Sequence, residues 1–310
     1  MKQPEQRTPS AFVLAHLSDP HLTGLDTIRR RQLLNKRLTG YLSWQKRRRH
    51  LHLPEHLALL VQDVQRQAPD HIAVTGDLTQ LGTSDECRQA LAWLRALGSP
   101  EQVSVVPGNH DTYRAEHWSG TIGLWRDYME GVDDVGGFPY LRRRGPLALI
   151  GSSTAVPTAI TFATGRLGES QQARIERLLA ASRDAFRVLL IHHPPQPGAA
   201  SWRKCLTDAP QLRQVLARQG VELVLHGHVH RRREDWLPVP GGHAPVIGVP
   251  SASAARGDET SVAAYNLYSI ERLAAGWSVT LHRRLILSDG SVAADAPIVL
   301  AGPEVGATQQ

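Results

Sequence analysis

The chain has 310 residues, a formal net charge of +6 and two cysteines, Cys87 and Cys205, which is long enough to bury a full core as one large domain or two smaller ones. Two cysteines without a C-x-x-C spacing exclude a disulfide framework and a structural zinc knuckle, and they suit a reducing compartment. The start, MKQPEQRTPSAFVLAHLSD, has no apolar stretch of the secretory kind, and the apolar runs are strand-sized and too short to span a bilayer, so a cytoplasmic protein is expected. The basicity is local. Nine Lys/Arg and no Asp/Glu lie from Thr27 to Pro54, and outside that stretch 26 basic residues face 29 acidic ones.

Residues 1–10 are polar and expected to be loose. Phe12 to Leu17, FVLAHL, reads as a buried strand. After the basic stretch, Pro54 to Gln67 has helical periodicity with a proline suited to the first turn. Ile72 to Thr75 reads as a strand, and Ser84 to Leu97 as a helix capped by Ser84 and ended by Gly98. Further strands are expected at Val103 to Val106, Leu147 to Ser152, Arg187 to Ile191, Val221 to Leu225 and Val246 to Val249. Helices are expected from Glu169 to about Ser182 and from Leu212 to Arg218. Val262 to Leu287 reads as a hairpin turning at residues 274–276, and the stretch 289–310, rich in Ala, Gly and Pro, as a weakly packed tail. Strands alternating with helices predict an α/β fold. Strands in both halves without a linker predict one domain over residues 11–288, built of two packed sheets, with a basic insertion at 27–54.

The residues just past the strands carry the chemistry. FVLAHL is followed by SDPH (Asp19, His21), HIAVT by GD (Asp77), and VSVV by PGNHD (Asn109, His110, Asp111). RVLLI is followed by HHPP (His192, His193), and VELVL by HGHVH (His226, His228, His230). Each fragment alone has a bland explanation: GD is often a turn, and GNHD a turn with a helix cap. Five such fragments at five successive strand exits do not, because ligand sites of α/β sheets form at the carboxyl ends of strands. In HGHVH, His226 falls in the strand and reads as a core or supporting residue, whereas His228 and His230 follow Gly227 into the loop. Asp19, His21, Asp77, Asn109, one histidine of HHPP, His228 and His230 make seven candidate ligands, too many for one four-coordinate ion. Carboxylates, imidazoles and an amide oxygen suit divalent manganese, iron, cobalt, nickel or zinc. Seven ligands with one bridging carboxylate fit two ions about 3.5–4 Å apart, the arrangement used for in-line phosphoryl displacement.

The ordered set D-x-H, GD, GNHD, H and GHVH, from Asp19 to His230, resembles the calcineurin-like metallophosphoesterase superfamily, in particular its class III cyclic nucleotide phosphodiesterase-like branch. That resemblance implies a two-sheet β-sandwich flanked by helices. Carried over by position, it implies that Asp19, His21 and His230 hold one ion, that Asn109, His192 and His228 hold the other, and that Asp77 bridges them. His192 is preferred and His193 is the alternative. His110 is implied to lie just outside the ligands, touching the phosphate and protonating the leaving oxygen, and Asp111 is expected to cap the following helix. A water bridging the ions, its pKa lowered from 15.7 to about 7, is expected to attack phosphorus as hydroxide.

The family does not require the basic segment. In a helical reading Leu34, Leu38, Tyr41 and Leu42 share one side of it. Three roles compete: a solvated cap on the site's edge, a contact of residues 29–50 with an anionic membrane surface, and a nucleic-acid patch, the last being disfavoured. The expected substrate is a small phosphodiester or pyrophosphate, a cyclic nucleotide first. A UDP-2,3-diacylglucosamine-type pyrophosphate is the rival, and a non-enzymatic nucleic-acid or membrane adaptor with a relic metal site is the remaining reading.

Overall fold

The computed structural model describes residues 11–22, 25, 28, 30–33, 36–46, 48–131, 137–255, 257–274 and 276–302. Leu34 of the basic segment lies outside them, as do residues 1–10 and 303–310.

Two mixed sheets face each other. The first contains β1 (Phe12–Leu17), β2 (His71–Val74), β3 (Val103–Val105), β10 (Ala264–Leu273), β11 (Gly276–Ile286), β12 (Val292–Ala294) and β13 (Ile298–Ala301). Its order is β12-β11-β10-β1-β2-β3, with β13 also on β11. The second contains β4 (Tyr140–Arg144), β5 (Leu147–Gly151), β6 (Phe186–Leu190), β7 (Leu223–His226), β8 (Arg233–Val239) and β9 (Gly242–Gly248), in the order β4-β5-β6-β7-β9-β8. The strands that feed the motifs run parallel: β1 with β2, β2 with β3, β5 with β6 and β6 with β7. Parallel strands are buried on both faces and read as unbroken apolar runs, which explains FVLAHL and RVLLI.

The second sheet divides its residues with a period of two. Leu147, Leu149, Phe186, Val188, Leu190, Leu223 and Leu225 enter the central core with β1 and β2. Ala148, Ile150, Leu189 and Val224 pack instead against α4 (Glu169–Ala181) and α5 (Ala209–Gln219). On the other side, α2 (Pro54–Gln67) contributes Leu57, Leu60 and Val64 to the central core, and α3 (Ser84–Leu97) contributes Cys87, Ala90 and Leu94. The expected sandwich with flanking helices is the fold observed.

Several local expectations are corrected. The cap of α3 is Thr83, not Ser84: its hydroxyl accepts from the Glu86 amide, and the Glu86 carboxylate accepts from the Thr83 amide. In the tail, β12 and β13 pair with β11, and Leu300 is buried; apolar runs of three and four residues between polar stretches are too short to stand out as strands. Besides the two tail strands, two more went unforeseen. β4, YLRRR, hides Arg142, whose guanidinium donates to the carbonyls of Pro100, Val103, Asp127 and Glu130. β8 is a charged edge strand with only Leu237 fully covered.

The helix in the basic segment, α1 (Arg37–Lys46), buries only Tyr41 in part from the described residues of its apolar stripe. Leu38 and Leu42 are exposed, whereas Arg37, Gly40 and Trp44 are buried. Trp44 packs with Leu25 and Leu81, and Arg37 donates to the carbonyls of Leu81 and Gly82 and pairs with Glu116. The carbonyl-rich loop after Asp77 selects the guanidinium over leucine. No helix among the described residues is long and apolar enough to cross a membrane.

Four buried histidines outside the seven candidate ligands make stability depend on pH. Burial lowers His16, His71 and His193 to about 3 and His226 to about 4. In the unfolded chain these rings take up protons near pH 6.5. Between about pH 6.5 and 3 the unfolded state therefore binds more protons, and stability falls as the pH falls, by up to about 1.4 kcal/mol per pH unit for each ring. Urea unfolding of the metal-free chain at pH 7.5 and at pH 5 is expected to show a clearly lower midpoint at pH 5. Equal midpoints would mean that the rings are protonated in the folded state.

Candidate metal centre

The motif loops leave their strands side by side and stay laced together. The Asp19 amide donates to the Gly76 carbonyl at 3.0 Å, His21 to Asp77 at 3.0 Å, and Gly227 to His192 at 3.2 Å. Six non-glycine residues among those described have positive φ, and five are candidate ligands: Asp19 (51°), His21 (42°), Asp77 (54°), His228 (69°) and His230 (51°). Such backbone costs on the order of 1–3 kcal/mol per residue and persists where surrounding structure enforces it. Here it aims side chains from three loops, those after β1, β2 and β7, at one place. Two glycines permit the crowding. A Cβ on Gly108 would collide with the Asp77 carboxylate, and one on Gly227 with Ser18 and Asp19.

All seven candidates come together. His230 Nε2 lies 3.1 Å from Asp19 Oδ1 and 3.3 Å from His21 Nε2. His21 Nε2 is 3.9 Å from both Asp19 Oδ1 and Asp77 Oδ2. On the other side of Asp77, His192 Nε2 stands 3.4 Å from Asp77 Oδ2 and 3.2 Å from Asn109 Oδ1. Ligand atoms of Asp19, His21, Asp77 and His230 lie within 4.8 Å of one another, and so do those of Asp77, His192 and His228. Asp77 belongs to both groups. Bonds of about 2.0–2.2 Å from oxygen and nitrogen to a cation demand spacings of this size, so the donor set fits two divalent ions.

Neighbouring carbonyls choose the nitrogen each ring turns inward. His21 Nδ1 donates to Thr79 O at 3.2 Å and His192 Nδ1 to Thr75 O at 2.7 Å, which leaves Nε2 of each for a cation. His228 donates from Nε2 to Lys204 O at 2.8 Å, which leaves Nδ1. The alternative, His193, is occupied elsewhere: Nδ1 accepts from Thr154 Oγ1 at 2.6 Å and Nε2 donates to Ala163 O at 3.2 Å. His226 is fully buried beside Gln196, as a core residue. Asp111 begins no helix. Its carboxylate instead accepts from the amides of Thr79 (2.9 Å) and Gly108 (2.9 Å), clamping the GD and GNHD loops together.

The electrostatics suit cations. Burial alone would raise both carboxylates, but His230 holds Asp19 low, and His192 and His110 hold Asp77 well below the usual range. Burial depresses His21 and His228, each reinforced by a neighbouring imidazole. Burial also pulls on His192, but the Asp77 carboxylate outweighs it and leaves that ring at about 9. A divalent cation held there would replace the His192 proton as the counter-charge to Asp77.

His110 lies beside the ligand groups. Its amide donates to Asp77 Oδ1 at 2.7 Å, its Nδ1 donates to Gln80 O at 2.6 Å, and its ring meets His21 edge-on. The groups open into a cleft of about 320 Å³, the size of a small-ligand site. Its wall also carries Leu51, His52, Lys204 and Ser251; the insertion that holds Leu51 and His52 was expected at the site's edge, but none of the four residues was singled out. The only local signal for His52 is the pair His50-x-His52 closing the basic segment.

A model of the family described as calcineurin-like phosphoesterase matches residues 12–232, from β1 to just past the GHVH loop. The chain belongs to the calcineurin-like phosphoesterase family. Among curated proteins, this phosphoesterase-family chain is 29% identical over 176 residues to the 3',5'-cyclic adenosine monophosphate phosphodiesterase CpdA of Escherichia coli (strain K12), covering 54% of this chain and 57% of that protein. It is 26% identical over 177 residues to a probable cyclic nucleotide phosphodiesterase of Synechococcus, covering 56% and 63%. The matches thus span less than two thirds of either relative. Among solved structures, the purple acid phosphatase PPD1 of yellow lupin is similar with a TM-score of 0.58 at 15% identity, over 96% of this chain and 55% of that one. GAP50 of Plasmodium is similar with a TM-score of 0.53 at 12% identity, over 94% and 89%. At such identities the likeness is one of fold.

Proposed function

We propose that this family member is a dinuclear-metal phosphodiesterase whose leading substrate class is cyclic nucleotides. The observation that carries the reading is Asp77, whose carboxylate belongs to both ligand groups at the floor of an open cleft. Asp19, His21 and His230 would hold one divalent cation, Asn109, His192 and His228 the other, and Asp77 both. When bound, the pair supplies positive charge that offsets the phosphodiester anion and acidifies water. The chain's own groups do the rest. The Thr79, Thr75 and Lys204 carbonyls hold three imidazoles in fixed orientation. With its Nδ1 committed to Gln80, His110 uses Nε2, as an imidazolium, to protonate the departing oxygen. The similarity to CpdA, itself named a cyclic adenosine monophosphate phosphodiesterase, supports the substrate class.

The test is turnover of bis-p-nitrophenyl phosphate with added manganese, followed by a panel of cyclic AMP, a glycerophosphodiester and a UDP-lipid analogue. Cyclic AMP is expected to be turned over best. Leu51, 49% exposed on the cleft wall, favours the rival UDP-diacylglucosamine-type pyrophosphatase, and preference for the lipid analogue would establish that instead. Silence on every substrate would leave a binding protein with a relic site.

A further inference from the structure

The basic insertion ends inside the cleft. Its last residues are stitched to the segment 251–255. The Leu53 amide donates to Ser253 O at 2.7 Å, the Ala255 amide to Leu51 O at 2.9 Å, and His56 Nδ1 donates to Ala254 O at 2.6 Å. His52 itself bridges Ala254. The segment 251–255 is tied in turn to the first motif loop. Ser251 Oγ donates to Asp19 O at 2.7 Å, and the Ala252 amide to Ser18 O at 3.0 Å. His52 therefore rides on backbone locked to a candidate ligand loop, the rigid support a precise site needs.

Its ring stands over the first ligand group. The centroids of His52 and His21 are 4.3 Å apart, and those of His52 and His230 5.7 Å. A ring nitrogen of His52 lies within 4.8 Å of those of His21 and His230, but His52 is not grouped with Asp19 or Asp77. It thus sits on the outer, cleft side of the first group, beyond the carboxylates that would centre an ion. His21 lies between it and His110, with ring centroids 4.3 and 5.1 Å away.

The hydroxyls behind the ring bear on which nitrogen carries the proton. Ser251 must donate to Asp19 O, because a carbonyl only accepts. Ser253 Oγ then has two acceptors for its proton, His52 Nδ1 at 2.8 Å and Ser251 Oγ at 3.3 Å. Donation to Nδ1, the closer of the two and the stronger base, would put the proton of a neutral ring on Nε2; the distances also admit the reverse tautomer, in which Nδ1 donates to Ser253 and Ser253 to Ser251. A nitrogen that carries a proton donates hydrogen bonds and does not ligate a cation.

We infer that His52 is a substrate-binding residue, which donates from Nε2 to a phosphoryl oxygen of the anionic ester held over the first ligand group. This rests on the phosphodiesterase reading and deepens it: the insertion supplies the phosphate site with a donor outside the motif set. The role needs no change in protonation, and the residue would act on binding more than on turnover.

The experiment compares the metal-loaded wild type with His52→Ala, His52→Gln and Ser253→Ala. Metal content, binding of inorganic phosphate by calorimetry, and KM and kcat on bis-p-nitrophenyl phosphate are measured for each. Loss of a hydrogen bond to a charged group predicts phosphate binding weaker by roughly 10–100-fold in His52→Ala. A matching rise in KM is expected, with kcat changed much less and two ions per chain retained. His52→Gln, which keeps an N–H donor, should recover part of the loss, and Ser253→Ala, which frees the ring, should show a smaller loss. Phosphate affinity equal to wild type in His52→Ala would reduce His52 to a structural residue, and loss of one ion would make it a ligand; either overturns the inference. A wild type silent on every phosphoester would sink the phosphodiesterase reading, while the phosphate titration would still judge His52. Failure of the metal-loaded wild type to bind phosphate would sink both.

Discussion

Asp77→Ala is expected to lose both divalent ions and to show turnover no higher than the buffer blank. Asp77 is the residue common to the two ligand groups, so its removal takes one donor from each and the charge that offsets two cations. The loss extends past the metals, because Asp77 Oδ1 also accepts the His110 amide at 2.7 Å and fixes that loop. Removing a buried carboxylate also frees His192 from the partner that holds its proton, so the ring becomes neutral and no isolated charge is left behind. The variant should therefore fold, which circular dichroism can check. Elemental analysis giving two ions per chain would refute the bridging role. Asp77→Asn keeps the shape and one oxygen but loses the charge, and it should retain part of the metal.

His110→Ala should behave in the opposite way, keeping both ions and losing turnover by about 10²–10⁴-fold, the usual worth of a positioned general acid. Its side chain is not grouped with the candidate ligands, so metal content should match wild type. The loss should shrink for leaving groups of low pKa, which need no proton. A plot of rate against leaving-group pKa should therefore be steeper for the variant. Equal losses across leaving groups would assign His110 to phosphate binding alone. Normal turnover of unactivated esters would remove it from the chemistry altogether.

Much of the fold was legible because parallel strands buried on both faces leave unbroken apolar runs, as in β1, β6 and β7. Of the strands that escaped notice, β12 and β13 are very short, and β4 and β8 are charged. Arg142 is buried by carbonyls from residues 100–130, and no local pattern announces partners so far along the chain. In α1 Leu38 and Leu42 of the apolar stripe face solvent while Tyr41 packs inward, and Arg37 is buried on the carbonyls of Leu81 and Gly82. The centre was more legible than the scaffold around it. Each of its residues follows directly on a strand, and strand ends of parallel sheets converge whatever the loops between them do.

The amino-acid sequence by itself determined the inventory of the candidate centre: seven candidate donors without a thiolate at five strand exits, and His110 beside them. It also determined the layering, through the period of its apolar residues. What it left open was every choice that depends on long separations. The contact of His230 with Asp19 spans 211 positions, and that of His52 with Ser253 spans 201. Which of two adjacent histidines turns inward, which nitrogen each ring offers, and whether a basic insertion reaches the cleft are set by carbonyls and hydroxyls from other loops. Only the packed sheets bring those groups within hydrogen-bonding distance.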